Sequence, residues 1–339
     1  MTVQVGINGF GRIGRNFARA ALANRADLRV VAVNDLTSPE VNAHLLAYDS
    51  THGRLPVPVG VTGDGIRVGD QTIRVLSERD PKALPWADLG VDVVLESTGR
   101  FTTREQAAAH LEAGARRVVI SAPAKGADAT FVIGVNDDSF DPERHTVVSN
   151  ASCTTNCFVP MVKVLDDAFG VRHGLMTTVH AYTNDQNLLD LTHTDLRRAR
   201  AAAVNIVPAS TGAARATGLV LEAMQGRLDG QALRVPVADG SITDFTAVVG
   251  ADVDRTAVNA AFAAAAASGP LSPVLDYSEA PIVSSDIVGS PASCTFDAPL
   301  TMAMALGDGA SLVKVFGWYD NEWGYSSRLV DLVLLVGRG

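Results

Sequence analysis

The first part of the chain alternates short apolar runs with a helical pattern. VQVGIN (3–8) and LRVVAVND (28–35) predict buried strands, and RNFARAALA (15–23) between them predicts a helix. The intervening NGFGRIG (8–14) predicts a tight turn. Because parallel strands need a crossover of this kind, we interpret the segment as a βαβ unit.

Further strand patterns follow in the same part of the chain, at residues 91–98, 116–123 and 145–150. A helical pattern at 103–115 lies between the first two of them. Strands that alternate with helices predict a doubly wound, Rossmann-like parallel sheet, so we expect an α/β fold. We place this first domain at residues 1–150.

The second part has longer strand patterns, at residues 175–183, 233–249 and 311–320. Helical patterns at 155–170 and near 255–268 would cover one face of their sheet. These lengths favour an α+β domain with a mixed or antiparallel sheet over residues 151–319. The helical pattern at 322–336 predicts a C-terminal helix, and we assign residues 320–339 to the first domain.

Composition restricts the classes of protein that fit. The 339 residues are 47% hydrophobic and 19% charged, which is typical of a folded chain of about two domains. The longest apolar run, at 260–267, is far shorter than the roughly 20 residues of a membrane span. A net charge of −9 disfavours general nucleic-acid binding. Three cysteines and no secretory pattern at the start lead us to expect a cytoplasmic protein.

The first turn fits the pattern G-x-G-x-x-G through Gly9, Gly11 and Gly14, and Asp35 ends the next strand. Glycines let the backbone approach a pyrophosphate, whose charge the helix N-terminus stabilises. An acid about 20 residues further on accepts hydrogen bonds from the ribose hydroxyls. The pattern therefore predicts a dinucleotide site, for NAD rather than NADP. The alternative is an ordinary glycine turn beside a surface acid.

The stretch NASCTTNC (150–157) holds two of the three cysteines. A dithiol redox motif has two intervening residues, whereas Cys153 and Cys157 have three between them. Two sulfurs without a second Cys/His cluster are also too few for a metal site, so we expect none. Cys153 is then either a nucleophile or a structural thiol, and we expect Cys157 to be packed as a small apolar side chain.

Cys153 follows a predicted strand and opens the helix that begins near Thr154. A helix N-terminus and a nearby imidazolium lower the pKa of a thiol, and the flanking hydroxyl and amide side chains suggest an anion site, which favours the nucleophile. Of the seven histidines, His180 in the strand TTVHAYT (177–183) is the candidate base. A core histidine bonded to the backbone remains an open alternative for His180.

The chain resembles the phosphorylating glyceraldehyde-3-phosphate dehydrogenases of glycolysis nearly from end to end. Matching segments occur in family order at INGFGRIGR (7–15), VVAVND (30–35), HLLAYDSTHGR (44–54), SNASCTTNC (149–157), MTTVHAYTNDQ (176–186), DLRRARAAA (195–203), IVPASTGAA (206–214) and WYDNEWGYS (318–326). SCTTNC followed by HAYT is highly specific. The chain is therefore identified as a member of this oxidoreductase family.

The resemblance implies NAD-dependent oxidation and phosphorylation of D-glyceraldehyde 3-phosphate to 1,3-bisphosphoglycerate. Cys153 would attack the aldehyde to form a hemithioacetal and then a thioester. His180 would take up the thiol proton and, as the imidazolium, polarise the substrate oxygen. Inorganic phosphate would then release the acyl phosphate.

The resemblance also implies binding residues and an assembly. Thr183 and Arg234 would hold the substrate phosphate, and the attacking phosphate would be held by Ser152, Thr154, Arg198, Thr211 and Gly212. The cofactor would be bound by Gly9, Gly11, Arg12, Ile13, Gly14, Asp35, Arg79, Ser121, Asn184 and Asn321. The family is a homotetramer, with the loop around 183–205 packed between subunits.

Departures from the family pattern leave alternatives open. Thr192 replaces a common proline beside the adenosine, which weakens the exclusion of NADP. Substitutions near the thiol, at 158–164 and 234–244, allow a specialised, inhibitor-tolerant isozyme. Erythrose-4-phosphate dehydrogenase shares the thiol and the base but releases the acid by hydrolysis. A non-catalytic NAD-binding regulator would lack the nucleophile or the base.

Overall fold

A computed structural model describes residues 2–339, which form two compact units. The first unit contains the residues up to Phe131, then Asp138–Ala151 and Ser326–Gly339. The second contains Val132–Asp137 and Ser152–Tyr325. The sequence predicts boundaries at residues 150 and 320, and it assigns Val132–Asp137, which falls in the second unit, to the first.

The first unit is built around one large sheet. The strands of this unit are β1 (Val3–Asn8), β2 (Leu28–Asn34), β3 (Tyr48–Asp49), β4 (Gly53–Arg54), β5 (Val59–Thr62), β6 (Gly65–Val68), β7 (Gln71–Leu76), β8 (Val93–Glu96), β9 (Arg117–Ile120), β10 (Ala129–Thr130) and β11 (Val147–Ser149). Strands β3 and β4 pair only with each other, as a separate two-stranded sheet. Its helices are α1 (Arg12–Ala23), α2 (Pro39–Ala47), α3 (Arg104–Ala107) and α4 (Ala109–Glu112).

The strand order of this sheet is β10-β11-β9-β8-β1-β2-β7-β6-β5. From β10 to β7 every neighbouring pair is parallel, which confirms the doubly wound prediction. The sheet then continues through the antiparallel strands β6 and β5. The sequence pattern does not predict this extension, because its strands are short and β5 is only half-buried.

The predicted helix at 103–115 is divided into α3 and α4. Thr103 caps the start, because its hydroxyl accepts a hydrogen bond from the N–H of Gln106 at 3.2 Å. The division falls at Ala108, where the N–H of Leu111 donates to the Ala108 carbonyl at 2.9 Å, a tighter turn than the α-helical one. The turn carries His110 into the core, where it is fully buried.

The turn between β1 and α1 requires glycine at two positions. Gly9 has φ of 91°, and a Cβ there would lie 2.7 Å from the backbone nitrogen of Thr98. A Cβ at Gly14 would lie 2.3 Å from the carbonyl oxygen of Gly9. Any side chain would therefore separate the helix from the strand that it follows.

The second unit contains the longer strands. They are β12 (Val171–Ala181), β13 (Val207–Ser210), β14 (Leu228–Val235), β15 (Ser241–Val249), β16 (Leu275–Ser278), β17 (Cys294–Asp297), β18 (Met302–Gly307) and β19 (Ala310–Tyr319). The remaining helices are α5 (Cys153–Phe169), α6 (Ala213–Ala216), α7 (Arg255–Ala267), α8 (Ser284–Ile287) and α9 (Trp323–Arg338), which continues into the first unit.

The order of the second sheet is β13-β14-β12-β15-β19-β17-β16, and β18 pairs with β19. Parallel and antiparallel pairs both occur, which confirms the predicted mixed sheet. The continuous pattern at 233–249 forms two strands on opposite sides of β12. It is interrupted because Pro236 has no N–H to donate and Gly240 has φ of 83°.

Helix α5 packs its apolar residues against this sheet. The ring of Phe158 meets that of Phe245 edge to face, with centroids 4.8 Å apart. Cys157 is fully buried in the same core, and its sulfur lies 3.5 Å from the carbonyl oxygen of Gly317. Within residues 2–339, no helix combines the length and the apolar character that crossing a membrane requires.

Candidate active site

Cys153 is the first residue of α5, and the residues before it shape the start of the helix. Ser152 caps the helix, since its hydroxyl accepts a hydrogen bond from the N–H of Thr155 at 3.0 Å. Ala151, just before it, has φ of 54°, an uncommon conformation for a residue with a side chain. Strained backbone of this kind occurs preferentially at functional sites.

His180 lies near the end of β12, which is paired on both sides and therefore held firmly. Its Nδ1 lies 2.7 Å from the carbonyl oxygen of Ala181, and its Nε2 lies 3.4 Å from Sγ of Cys153. Nη1 of Arg234 also lies 3.1 Å from Nδ1, but the carbonyl oxygen is nearer and can only accept, so we assign the proton of the neutral ring to Nδ1. Nε2 then accepts a hydrogen bond from the thiol of Cys153, as a general base must.

The expected lowering of the thiol's pKa is not what the structure gives. Cys153 is only partly buried by surface area, yet burial of the sulfur raises the pKa of the thiol to about 11. The positive charge of Arg234 and the N–H of Thr154 oppose this rise without overcoming it. Burial, and next the charge of Arg234, lower the pKa of His180 to about 3. The resting pair is therefore a neutral thiol bonded to a neutral imidazole.

A chain of charged and polar side chains extends from His180. Arg234 pairs with His180 across the parallel strands β12 and β14. Its Nη1 donates to the hydroxyl of Thr183 at 2.9 Å and to the carbonyl of Ala181 at 3.2 Å. Thr183 in turn donates to the carboxylate of Asp185, which also pairs with Arg198. The structure thus brings three of the predicted anion-binding residues together: Thr183, Arg198 and Arg234.

Asp185 is a residue that the sequence reasoning does not single out. Its carboxylate connects the two arginines, directly to Arg198 and through Thr183 to Arg234. Burial alone would raise the pKa of Asp185, but the bond from Thr183 and the charges of both arginines lower it. The only signal in the sequence is its position two residues after Thr183.

The remaining predicted phosphate residues are placed with their own partners. The hydroxyl of Thr211 accepts from the N–H of Ala213 at 3.2 Å, and Gly212 caps α6. Arg198 reaches this loop, because its Nη2 donates to the carbonyl of Ser210 at 3.4 Å. Thr154 is nearly fully buried, and its side chain points into the core.

Tyr319 is a second residue that the sequence does not reveal. Its hydroxyl lies 2.9 Å from that of Thr154 and 2.7 Å from that of Thr178, so it connects the first turn of α5 to β12. Its ring meets the ring of His180 edge to face, with centroids 5.9 Å apart. Tyr319 therefore fixes the elements that carry both Cys153 and His180, from a position far along the chain.

The two predicted cofactor residues of the second unit differ in their surroundings. Asn321 is buried, and its side-chain oxygen accepts a hydrogen bond from Ser241 at 2.6 Å. Ser241 also accepts from the N–H of Ala181, the residue after His180, at 3.0 Å. Asn184 is exposed in the loop after β12.

A cavity of about 340 Å³ lies in the first unit, at the carboxyl ends of the parallel strands. Four of the predicted cofactor residues line it: Gly9, Gly11, Asp35 and Arg79. The others in this unit, Arg12, Ile13, Gly14 and Ser121, are not among its lining residues. In open parallel sheets, ligands bind at this edge.

The lining of this cavity fits a dinucleotide. A Cβ at Gly11 would project into open space, so the backbone there is accessible to a phosphate. Asp35 accepts from the N–H of Phe10 at 2.9 Å, which fixes its carboxylate at the cavity. Arg12 is paired with Asp49. Burial alone would raise the pKa of Asp49, but the bond from Arg12 and two backbone N–H donors lower this pKa to about 2.

Comparisons with known proteins show which family the chain is similar to. Residues 3–104 match the family model of the glyceraldehyde 3-phosphate dehydrogenase NAD binding domain, and residues 152–321 match that of the C-terminal domain. The chain is 61% identical to glyceraldehyde-3-phosphate dehydrogenase 1 of Streptomyces avermitilis, over 99% of each chain. It is 59% identical to the glyceraldehyde-3-phosphate dehydrogenases of Streptomyces coelicolor and Mycobacterium bovis, over 100% of this chain and 99% of each relative.

Replacing His180 with Asn removes the acceptor of the thiol proton. We expect the rate at which iodoacetamide alkylates Cys153 at neutral pH to fall at least tenfold, and kcat to fall by about 10²–10⁴. The measurements are alkylation followed by mass spectrometry and steady-state kinetics. His173→Asn, on the exposed beginning of the same strand, is the control and should leave both unchanged. Equal alkylation rates in both variants would show that His180 does not activate the thiol.

Proposed function

This chain belongs to the glyceraldehyde-3-phosphate dehydrogenase family, and we propose that it oxidises and phosphorylates D-glyceraldehyde 3-phosphate with NAD, through a thioester on Cys153. The observation that carries the proposal is the 3.4 Å contact between the Cys153 sulfur and Nε2 of His180. Beside it lies the chain of arginines and Asp185, which suits a substrate with a phosphate group.

The first step is attack of the thiol on the aldehyde. A bond forms between Sγ of Cys153 and the carbonyl carbon while Nε2 of His180 takes the thiol proton. The imidazolium then faces the developing alkoxide and returns the proton to that oxygen, which gives a neutral hemithioacetal. Because the resting pair is neutral, proton transfer accompanies the attack, and no free thiolate needs to accumulate.

The second stage converts the hemithioacetal to a thioester. His180 takes the hydroxyl proton while the hydride leaves the same carbon, and the chemistry that bound NAD supplies is the acceptance of that hydride. An oxygen of inorganic phosphate then attacks the thioester carbon. The carbon–sulfur bond breaks, the acyl phosphate leaves, and His180 returns its proton to the Cys153 sulfur.

We propose that different residues bind the two phosphate groups. Arg234 and Thr183, closest to His180, would hold the phosphate of the aldehyde. Arg198 would hold the attacking phosphate with the loop at Thr211 and Gly212, supported by its contact with the Ser210 carbonyl. The guanidinium of Arg198 is paired with Asp185, so a phosphate bound to Arg198 would compete with that carboxylate. Ser152 would contribute from the first turn of α5, and Thr154, whose hydroxyl is bonded to Tyr319 in the core, would contribute through its backbone N–H.

We propose that the cofactor is bound in part at the cavity of the first unit. Gly9 and Gly11 would accommodate the pyrophosphate, with Arg12, Ile13 and Gly14 opening the helix behind it. Asp35 would bind the ribose hydroxyls, and its negative charge would repel the 2′-phosphate of NADP. Arg79 and Ser121 are proposed for the adenine and nicotinamide sides, and Asn184 and Asn321 for the nicotinamide.

We also propose that the protein is a cytoplasmic homotetramer. The loop around 183–205 exposes large apolar side chains, with Leu188 77% and Leu196 82% accessible. The strand β18 likewise exposes Met302 and Met304. Apolar surfaces of this kind are typical of interfaces, and a second copy of the chain is the occupant that the family resemblance favours. The three cysteines are all free thiols, which suits a reducing compartment.

The reaction is tested by following NADH formation from D-glyceraldehyde 3-phosphate with and without inorganic phosphate. We expect turnover that depends on phosphate, a higher kcat/KM for NAD than for NADP, and no measurable activity in Cys153→Ala. Cys157→Ala, one helical turn further on, is the matched control and should retain activity, because its thiol is packed in the core.

The same assay separates the alternatives. Phosphate-independent oxidation of erythrose 4-phosphate would replace the proposed reaction by that of erythrose-4-phosphate dehydrogenase. NAD binding without turnover of either aldehyde would indicate a non-catalytic regulator. Equal use of NAD and NADP would show that Asp35 does not exclude the 2′-phosphate.

The assembly is tested by light scattering coupled to gel filtration. We expect a mass of four times the 35.5 kDa chain. Leu196→Asp places a charge on the exposed apolar loop and should give smaller species, because an unpaired charge is costly to bury. Leu196→Met keeps the surface apolar and should remain tetrameric. A wild-type protein of single-chain mass would rule out the assembly.

A further inference from the structure

A continuous chain of buried hydrogen bonds runs beneath the cofactor cavity of the first unit. Its side chains come from the ends of three parallel strands, from α4 and from the segment before β8, and they are Asn8, Asn34, Glu96, His110 and Trp86. All five are at most 5% exposed. Buried polar networks of this kind are conformationally restrictive when every member is satisfied.

The direction of the chain is fixed at the Trp86 end. An indole N–H can only donate, and it lies 3.0 Å from Nδ1 of His110, so that nitrogen carries no proton. The neutral ring then has its proton on Nε2, which lies 3.0 Å from a carboxylate oxygen of Glu96. Nδ2 of Asn8 lies 3.4 Å from the same nitrogen, but it is itself a donor, so Nε2 donates to Glu96. A proton on both ring nitrogens would place two N–H groups face to face at Trp86.

The other end fixes the same direction independently. The backbone N–H of Glu78 donates to the side-chain oxygen of Asn34 at 2.8 Å. The amide NH₂ of Asn34 therefore donates to the oxygen of Asn8 at 2.7 Å, and that of Asn8 donates to Glu96 at 2.6 Å. Both halves of the chain end on the carboxylate of Glu96, which also accepts from the N–H and hydroxyl of Thr98.

The chain supports the walls of the cavity directly. Asn8, Asn34 and Thr98 line it, and Asp35 follows Asn34 in the sequence. Phe101, another wall residue, meets the ring of His110 edge to face, with centroids 6.5 Å apart. The rings and amides that face the ligand are therefore held by His110 and Glu96, which themselves are not among the lining residues.

Tight packing around Trp86 restricts movement at its end of the hydrogen-bond chain. Its ring lies so close to β1 that a Cβ at Gly6 would be 2.8 Å from one of its atoms. Trp86 is fully buried, and its backbone N–H is bonded to the carbonyl of Leu84 at 2.9 Å. His110 is thus oriented by a residue that cannot easily move.

We propose that His110 and Glu96 are positioning residues for the nucleotide: the hydrogen bond from Nε2 of His110 to Glu96 holds Asn8, Asn34 and Phe101 in the arrangement that binds NAD. The inference rests on the proposed function, in which this cavity takes part of the cofactor. The bond acts on affinity for the nucleotide, whereas the Cys153–His180 pair belongs to the other unit and keeps its chemistry.

Two isosteric variants of His110 test the proposal. Gln places an amide NH₂ near the position of Nε2 and keeps the bond to Glu96, whereas Asn keeps an acceptor for Trp86 but cannot reach Glu96. We expect His110→Asn to raise the dissociation constant of NAD at least tenfold, as the loss of a hydrogen bond to a buried charge implies. His110→Gln should bind NAD within about threefold of wild type.

The measurements are NAD titration by calorimetry, steady-state kinetics and thermal unfolding. In His110→Asn we expect the KM for NAD to rise while the KM for the aldehyde and kcat at saturating NAD stay within about twofold. If His110→Asn does not fold, Glu96→Gln takes its place. The NH₂ group of the new glutamine would face the donors Asn8 and His110, so NAD binding should weaken in the same way.

The outcomes separate the inference from the function on which it rests. A wild-type protein that binds no NAD overturns both. A wild-type protein that binds NAD, with Asn and Gln variants that bind it equally well, overturns the inference alone. The inference would also be overturned if both variants lost the same affinity for NAD and that loss only followed the fall in their melting temperatures. A network with a merely structural role predicts that result.

Discussion

The contact between the Cys153 thiol and the His180 imidazole joins two elements that one core holds in place. His180 lies on β12, which is hydrogen-bonded to a strand on each side. Cys153 opens α5, whose apolar side packs on the same sheet. Tyr319 bonds to Thr154 at the start of α5 and to Thr178 on β12, so one hydroxyl links the helix that carries Cys153 to the strand that carries His180. A nucleophile and its base need this rigidity, because a displacement of about 1 Å can cost about a hundredfold in rate.

Burial and charge act in opposite directions at this pair. Burial raises the pKa of Cys153 and lowers that of His180, so both are neutral at rest. Arg234 favours the thiolate but disfavours the imidazolium, since its charge lies near both groups. A phosphate bound to Arg234 would offset that positive charge and make His180 a better proton acceptor. In the proposed mechanism, substrate binding and activation of the base would therefore be coupled through one guanidinium.

The sequence predicts well what depends on local pattern. The βαβ unit, the parallel sheet, the mixed sheet and a helix beginning near Thr154 follow from short-range periodicity and the known behaviour of glycine and proline. Contacts between distant segments are not predictable in this way. Tyr319 meets Thr154 across 165 positions, and Trp86 meets His110 across 24, with no pattern that connects them. The direction of the thiol's pKa shift also depended on burial, which the helix N-terminus alone did not reveal.

The proposed catalysis depends on a covalent bond at the Cys153 sulfur, and trapping the acyl enzyme tests it most directly. Protein mixed with NAD and D-glyceraldehyde 3-phosphate in the absence of inorganic phosphate is quenched in acid, digested and analysed by mass spectrometry. We predict a phosphoglyceroyl adduct on the peptide containing Cys153, with Cys157 unmodified, which disappears when phosphate is added before the quench. NADH formation with no adduct, or an adduct on Cys157, would contradict the account.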